Sequence, residues 1–225
     1  MTAQLGAWQL SRASQKEALQ QALVERATMP EIAPSALSRS ASGADAQYYR
    51  RIHLRGLWEK DATVFLDNRQ MNGRPGFYVV TPLRLGGTMA SEAVLVQRGW
   101  VPRDTLDRTR LPALKTPAGE VEIAGHIAPP PARLYDFGGV ASGPIRQNLN
   151  LGAFAGETGL RLLPLSVVQD DTDDAKDGLL RQWPRPAVDI YKHYGYAFQR
   201  FALCALMAGL YVWFQLIRPR RSLHA

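Results

Sequence analysis

Residues 93–101 read Ala93-Val94-Leu95-Val96-Gln97-Arg98-Gly99-Trp100-Val101, a run of β-branched and large apolar side chains without proline. Such a composition suits a pleated, half-buried strand. Working outward, residues 47–54 alternate through Tyr48, Arg50, Ile52 and Leu54, and shorter runs of the same character occupy 63–66, 76–81, 120–127 and 162–168. Between them lie Asp67-Asn68, Asn72-Gly73, Pro75-Gly76 and Gly86-Gly87, pairs suited to tight or left-handed turns. Short strands at this spacing predict a mainly β, antiparallel barrel-like or sandwich-like domain rather than βαβ units.

Ahead of the strands, Leu10, Ala18, Leu19, Ala22 and Leu23 recur at helical spacing among Gln, Glu, Lys and Arg, and Met29-Pro30 stops the pattern. A Pro/Ser/Ala/Gly linker follows. After the last strand, residues 170–178 read DDTDDAKDG. They lack the Asp-x-Asp-x-Asp-Gly spacing and distal Glu of a calcium loop, so a solvated acidic loop is expected, with a metal site as the alternative.

With 225 residues, 46% hydrophobic and 21% charged, the chain can bury a sizeable core. The 27 Lys and Arg against 20 Asp and Glu give +7, but Arg218, Arg220 and Arg221 crowd the tail, and the remainder is too diffuse for a nucleic-acid surface. One cysteine, Cys204, excludes a disulfide framework and a Cys-rich zinc site. It sits in the uncharged run 201–217, FALCALMAGLYVWFQLI. Flanking tyrosines, Trp213 and a snorkelling Arg200 extend that run to a transmembrane helix over 194–217, with the Arg-rich tail on the cytoplasmic face. A buried helix of a folded core is the alternative. A membrane-anchored domain facing outward needs a translocating segment, and residues 1–26 contain no apolar stretch of that kind. Either an apolar span precedes Leu5 or the topology is inverted.

Chemistry-bearing motifs are scarce. No nucleophile elbow, phosphate loop, His-Glu-x-x-His or dinucleotide fingerprint occurs, and His53, His126, His193 and His224 are scattered. His53 and His126 fall in strands, where a solvent-facing or hydrogen-bonded role is expected before a catalytic one.

Other residues carry a resemblance. Gly6-Ala7-Trp8-Gln9 with Arg12 and Lys16, Gly56 with Trp58, Asn68-Arg69, Gly73, Gly76, Thr81-Pro82-Leu83, the block Val94 to Pro102, and Trp183-Pro184 followed by His193-Tyr194-Gly195-Tyr196-Ala197 all occur in order. Together they resemble the surfeit-locus-1 family of cytochrome c oxidase assembly proteins. Gln97 replaces the family's Asn, and Arg200 stands where an aromatic is usual.

The resemblance implies a bacterial inner-membrane assembly factor, not an enzyme, that assists insertion of haem a into the oxidase catalytic subunit. It implies two spans, a first one upstream of Leu5, and partners in the catalytic subunit, haem a synthase and the lipid bilayer, with no nucleic acid. His193, matching the family histidine that opens the second helix, is the implied iron ligand; Arg200, on the same helical face, is inferred to pair with a propionate. An oxidase scaffold that never touches haem, or a membrane-anchored hydrolase, are the competing readings. The expected organisation is an N-terminal helix in 1–29, a linker at 30–46, a periplasmic β-rich domain at 47–186, the transmembrane helix at 194–217 and a cytoplasmic basic tail at 218–225.

Overall fold

The computed structural model describes residues 2–107, 110–134, 143–171, 177–183, 190–213 and 215. Two compact units result, one from residues 1–24 with 185–225 and one from residues 25–184. Helix α1 (Thr2–Thr28) starts in the first and ends in the second. Helix α4 (Ile190–Val212) lies in the first.

Among the described residues the second unit is built on seven strands: β1 (Arg51–Trp58), β2 (Val64–Met71), β3 (Arg74–Leu85), β4 (Ala93–Pro102), β5 (Glu120–Ala128), β6 (Ile145–Arg146) and β7 (Leu162–Gln169). Their order is β1-β5-β7-β4-β3-β2-β6, with the end of β1 also meeting β3 from Gly56 to Trp58. Two pairings are parallel, β4 with β7 and β2 with β6. The protein is therefore a mixed seven-stranded sheet with few helices, and not the antiparallel barrel or sandwich expected. The physical reason lies after β5, where the chain does not turn back as a hairpin. It places β6 on the far edge beside β2, crosses through α3 (Leu151–Thr158) and inserts β7 between β5 and β4.

Local chemistry explains the elements. The β2–β3 hairpin turns at Asn72 (φ 51°) and Gly73 (φ 75°), the paired positive angles of a type I′ turn. Ser40 caps α2 (Ala41–Gln47) by accepting from the Gly43 amide at 3.2 Å. Asn150 caps α3 in the same way through the Ala153 amide at 3.0 Å, and left-handed Gly159 ends it. Burial alternates along β1, with Ile52 and Leu54 inward and Arg51, His53 and Arg55 outward. The largest buried cluster joins Ile52, Leu54, Leu83, Val94, Ile127 and Leu165 from five strands.

The C-terminal transmembrane helix is also corrected. Among the described residues, no helix is long and apolar enough to cross a membrane. Helix α4 opens with Lys192 and His193 and carries Gln199 and Arg200 at mid-length. Its uncharged part from Phe201 to Val212 spans about 18 Å at 1.5 Å per residue, against about 30 Å of hydrocarbon.

Candidate functional site

Two irregularities in the sheet create the interior polar network. Between Val79 and Val80 the β3–β4 register slips, so that Gly99 and Gln97 face adjacent partners and Arg98 is the extra, bulged residue. Between Leu66 and Arg69 the β2–β3 register slips in the same way, with Asn68 at φ 59°. Each slip leaves an arginine inside: Arg98 is 1% exposed and Arg69 is 6% exposed.

Arg98 donates from Nη1 to Thr116 Oγ1 at 2.8 Å and from Nη2 to the Lys115 carbonyl at 3.4 Å. Its guanidinium lies 4.6 Å from the Trp58 ring centre and 3.6 Å from Asp177 Oδ2. Asp177 also accepts from buried Arg181 at 2.6 Å and from the Leu179 amide at 3.1 Å. Burial pushes the Arg98 pKa down, Asp177 opposes that shift and Arg181 adds to it; from arginine's very high ordinary value the group stays charged. Residues 170–178 are thus not simply a solvated loop, since Asp170 and Asp177 hold partners; residues 172–176 lie outside the described residues.

Arg69 donates to the carbonyls of Ala132 at 2.7 Å and Gln147 at 3.2 Å and lies over Tyr78. Its own carbonyl accepts from Trp100 Nε1 at 2.9 Å. Gly76 leaves room for that indole: a Cβ there would lie 2.4 Å from Trp100 and 2.2 Å from the Val101 carbonyl. The conspicuous Arg98-Gly99-Trp100 triplet therefore ties segments 115–116 and 177–180 to the sheet.

Outside this network, two adjoining grooves open beside β6. One, of about 620 Å³, is framed by Glu59, Asp61, Arg84, Arg146, Phe154 and Glu157. The other, of about 470 Å³, is walled by Phe65, Leu111, Pro112 and Leu114, and both share Asp61, Thr63 and Pro144. Arg84 pairs with Glu59 at 2.6 Å, and Arg146 grips both carboxylate oxygens of Glu157, Nη1 to Oε2 at 2.8 Å. Those hydrogen bonds hold Glu157 below the usual carboxylate range. Among the described residues Asp61 has no ion-pair partner, and it lies where the grooves meet, beside the apolar walls and Lys60 of the second groove. Nothing in the sequence pattern marks this surface, because β6 is two residues long.

The two site residues expected from sequence fall on α4, His193 in its first turn and Arg200 two turns further on and exposed. The His193 side chain lies outside the described residues. The strand histidines each hold a carboxylate, His53 Nδ1 with Glu31 at 2.7 Å and His126 Nδ1 with Asp170 at 3.0 Å. That is the base-and-orienter half of a catalytic arrangement, yet among the described residues neither imidazole is hydrogen-bonded to a Ser, Thr or Cys.

The chain is a mixed-sheet scaffold whose buried charges fasten its own loops, with a polar groove on its edge. The chain belongs to the SURF1 family, whose model matches residues 1–205. It is 28% identical over 113 residues to "Surfeit locus protein 1" of Arabidopsis thaliana, covering 47% of this chain and 32% of that protein. It is 29% identical over 132 residues to "Cytochrome oxidase assembly protein SHY1" of Saccharomyces cerevisiae, covering 57% and 33%. A "SURF1-like protein" of Rickettsia felis is 30% identical over 98 residues, covering 43% and 39%. The matched region spans about a third of the length of these relatives.

Proposed function

We propose that this protein is a non-catalytic assembly factor for cytochrome oxidase that acts at the membrane surface where the oxidase catalytic subunit matures. Family membership and the name of the yeast relative support the role. The groove beside β6 is the structural observation that carries it. Asp61, which among the described residues has no ion-pair partner, sits where a polar cleft meets a more apolar one, with Lys60 on the apolar side. An extended segment of an oxidase subunit with a basic side chain among apolar ones fits that surface. Deleting the chain from cells that make it should lower cytochrome oxidase activity and the haem a content of their membranes. Wild-type protein should restore both, and Asp61→Arg should restore neither while remaining folded. Normal oxidase levels in the deletion strain would refute the role; full rescue by Asp61→Arg would refute the groove.

The finer reading is assistance to haem a insertion, with haem a synthase as a further partner. The exposed Tyr196 and Arg200 fall on the same side of helix α4 as His193, the placement a porphyrin site there would need. His193 would hold the iron and Arg200 a propionate. When bound, haem a supplies the iron that the oxidase needs; this chain's residues bind it and release it. Protein purified from cells that make haem a should show a Soret band that His193→Ala shifts or erases. A wild-type protein that never carries haem leaves the scaffold role alone.

A further inference from the structure

Strands β1 and β5 run antiparallel, with Arg51 opposite His126 and His53 opposite Ala124. Partner residues point to one side of a sheet, so Arg51, His53, Ala124 and His126 share a face, and the alternation of β1 turns that face outward. His53 and His126 are diagonal neighbours on it, with backbones about 7–8 Å apart and side chains closer. Ala124 and Arg51 occupy the other diagonal of that four-residue patch.

Their carboxylates stand on opposite outer sides. Glu31 precedes Ile32, which bridges to Ile52 along the edge of β1 that β5 does not use. Asp170 follows β7 on the far edge of β5, where its amide donates to the Ala124 carbonyl at 3.0 Å. Each carboxylate takes an Nδ1, at 2.7 Å and 3.0 Å. In an imidazole Nδ1 and Nε2 lie on opposite flanks of the ring, so anchoring both Nδ1 atoms outward turns both Nε2 atoms back over the seam between β1 and β5. A carboxylate on one ring nitrogen is the outer-shell arrangement found behind most metal-binding histidines.

We propose that His53 and His126 form a surface chelate for a divalent transition-metal ion, with Cu²⁺ bound most tightly by ligand preference. The proposed ligand set is two imidazole nitrogens completed by water; among the described residues no group of three or more His, Cys, Asp or Glu is gathered for a metal. Side-chain exposures of 66% for His53 and 34% for His126 leave room for that water. Arg51, opposite His126 on the same face, opposes the bound charge and keeps the site weak.

The test is titration of the full chain with copper(II) sulfate, followed by electron paramagnetic resonance and by amide spectra. Wild type should show one site with two nitrogen ligands, and the paramagnetic ion should broaden the amide signals of Arg51, His53, Ala124 and His126 first. His53→Ala and His126→Ala should each remove that site. Glu31→Gln and Asp170→Asn should weaken it about 10-fold or more. Arg51→Ala should tighten it, an effect no merely structural role predicts. Broadening centred elsewhere in the wild type, or unchanged binding in the two histidine variants, overturns the proposal, and the wild-type broadening decides it even if a variant fails to fold.

Discussion

At the scale of single residues, the structure converts family motifs into packing requirements. Gly76→Ala drives a methyl into the Val101 carbonyl and the Trp100 ring, neither of which can yield. It should cost about 3 kcal/mol, read as a fall in the urea midpoint at unchanged slope. Gly73→Ala meets no atom within 4 Å and bears only the left-handed backbone penalty, about 1–2 kcal/mol. Equal losses at the two positions would sink the packing account. Arg98→Lys retains the charge but not the planar fork shared among Thr116, Lys115 and Asp177, and should cost about 1–3 kcal/mol. Its structural signature is faster proteolysis near 111–116; a variant as resistant as wild type would contradict the tether. The arginine was visible in the sequence as part of Gln97-Arg98-Gly99-Trp100, but its role was not. The partners Thr116 and Asp177 lie 18 and 79 positions downstream and come together only in the folded sheet.

At the scale of elements, α3 is held to the sheet by its cap and by the Arg146–Glu157 grip on β6. Hydrogen bonds from Arg146 depress the Glu157 pKa, so the folded protein binds that proton more weakly than the unfolded chain does. The contribution is complete above the ordinary glutamate value, about pH 4.3, and disappears as pH falls below it through the depressed value. Protection of the Phe154 amide, relative to Glu157→Gln, should therefore drop only in that acid window; a drop nearer neutrality would implicate another group. Six of the strands were legible because each is a hydrophobic run bounded by turn residues. The two-residue β6 offered no run to read, and α2 and α3 are short helices started by Ser40 and Asn150, residues that read equally well as loop formers. The C-terminal helix was legible as a helix but not as to its span. Its aromatic flanks imitated a belt, while Lys192 and Arg200 shorten the apolar length.

At the scale of the whole molecule, residues 25–184 hold the mixed sheet and its buried clusters. Expressed alone, they should unfold in one cooperative transition by circular dichroism and by tryptophan fluorescence together. Separate transitions for the two probes would show that the remaining chain is needed for the fold. Strand order makes one more demand, on the timing of synthesis. β1 and β5 make one antiparallel pair and β2, β3 and β4 make a meander, joined directly by only the short contact at Gly56 to Trp58. The strand that binds the two groups along their length, β7, is the last to leave the ribosome. Until residue 169 has emerged, the nascent chain exposes two apolar edges that each lack a neighbour. A late-closing sheet thus has an early window of dependence on chaperones, and shortening the chain before β7 forfeits the whole fold rather than trimming it.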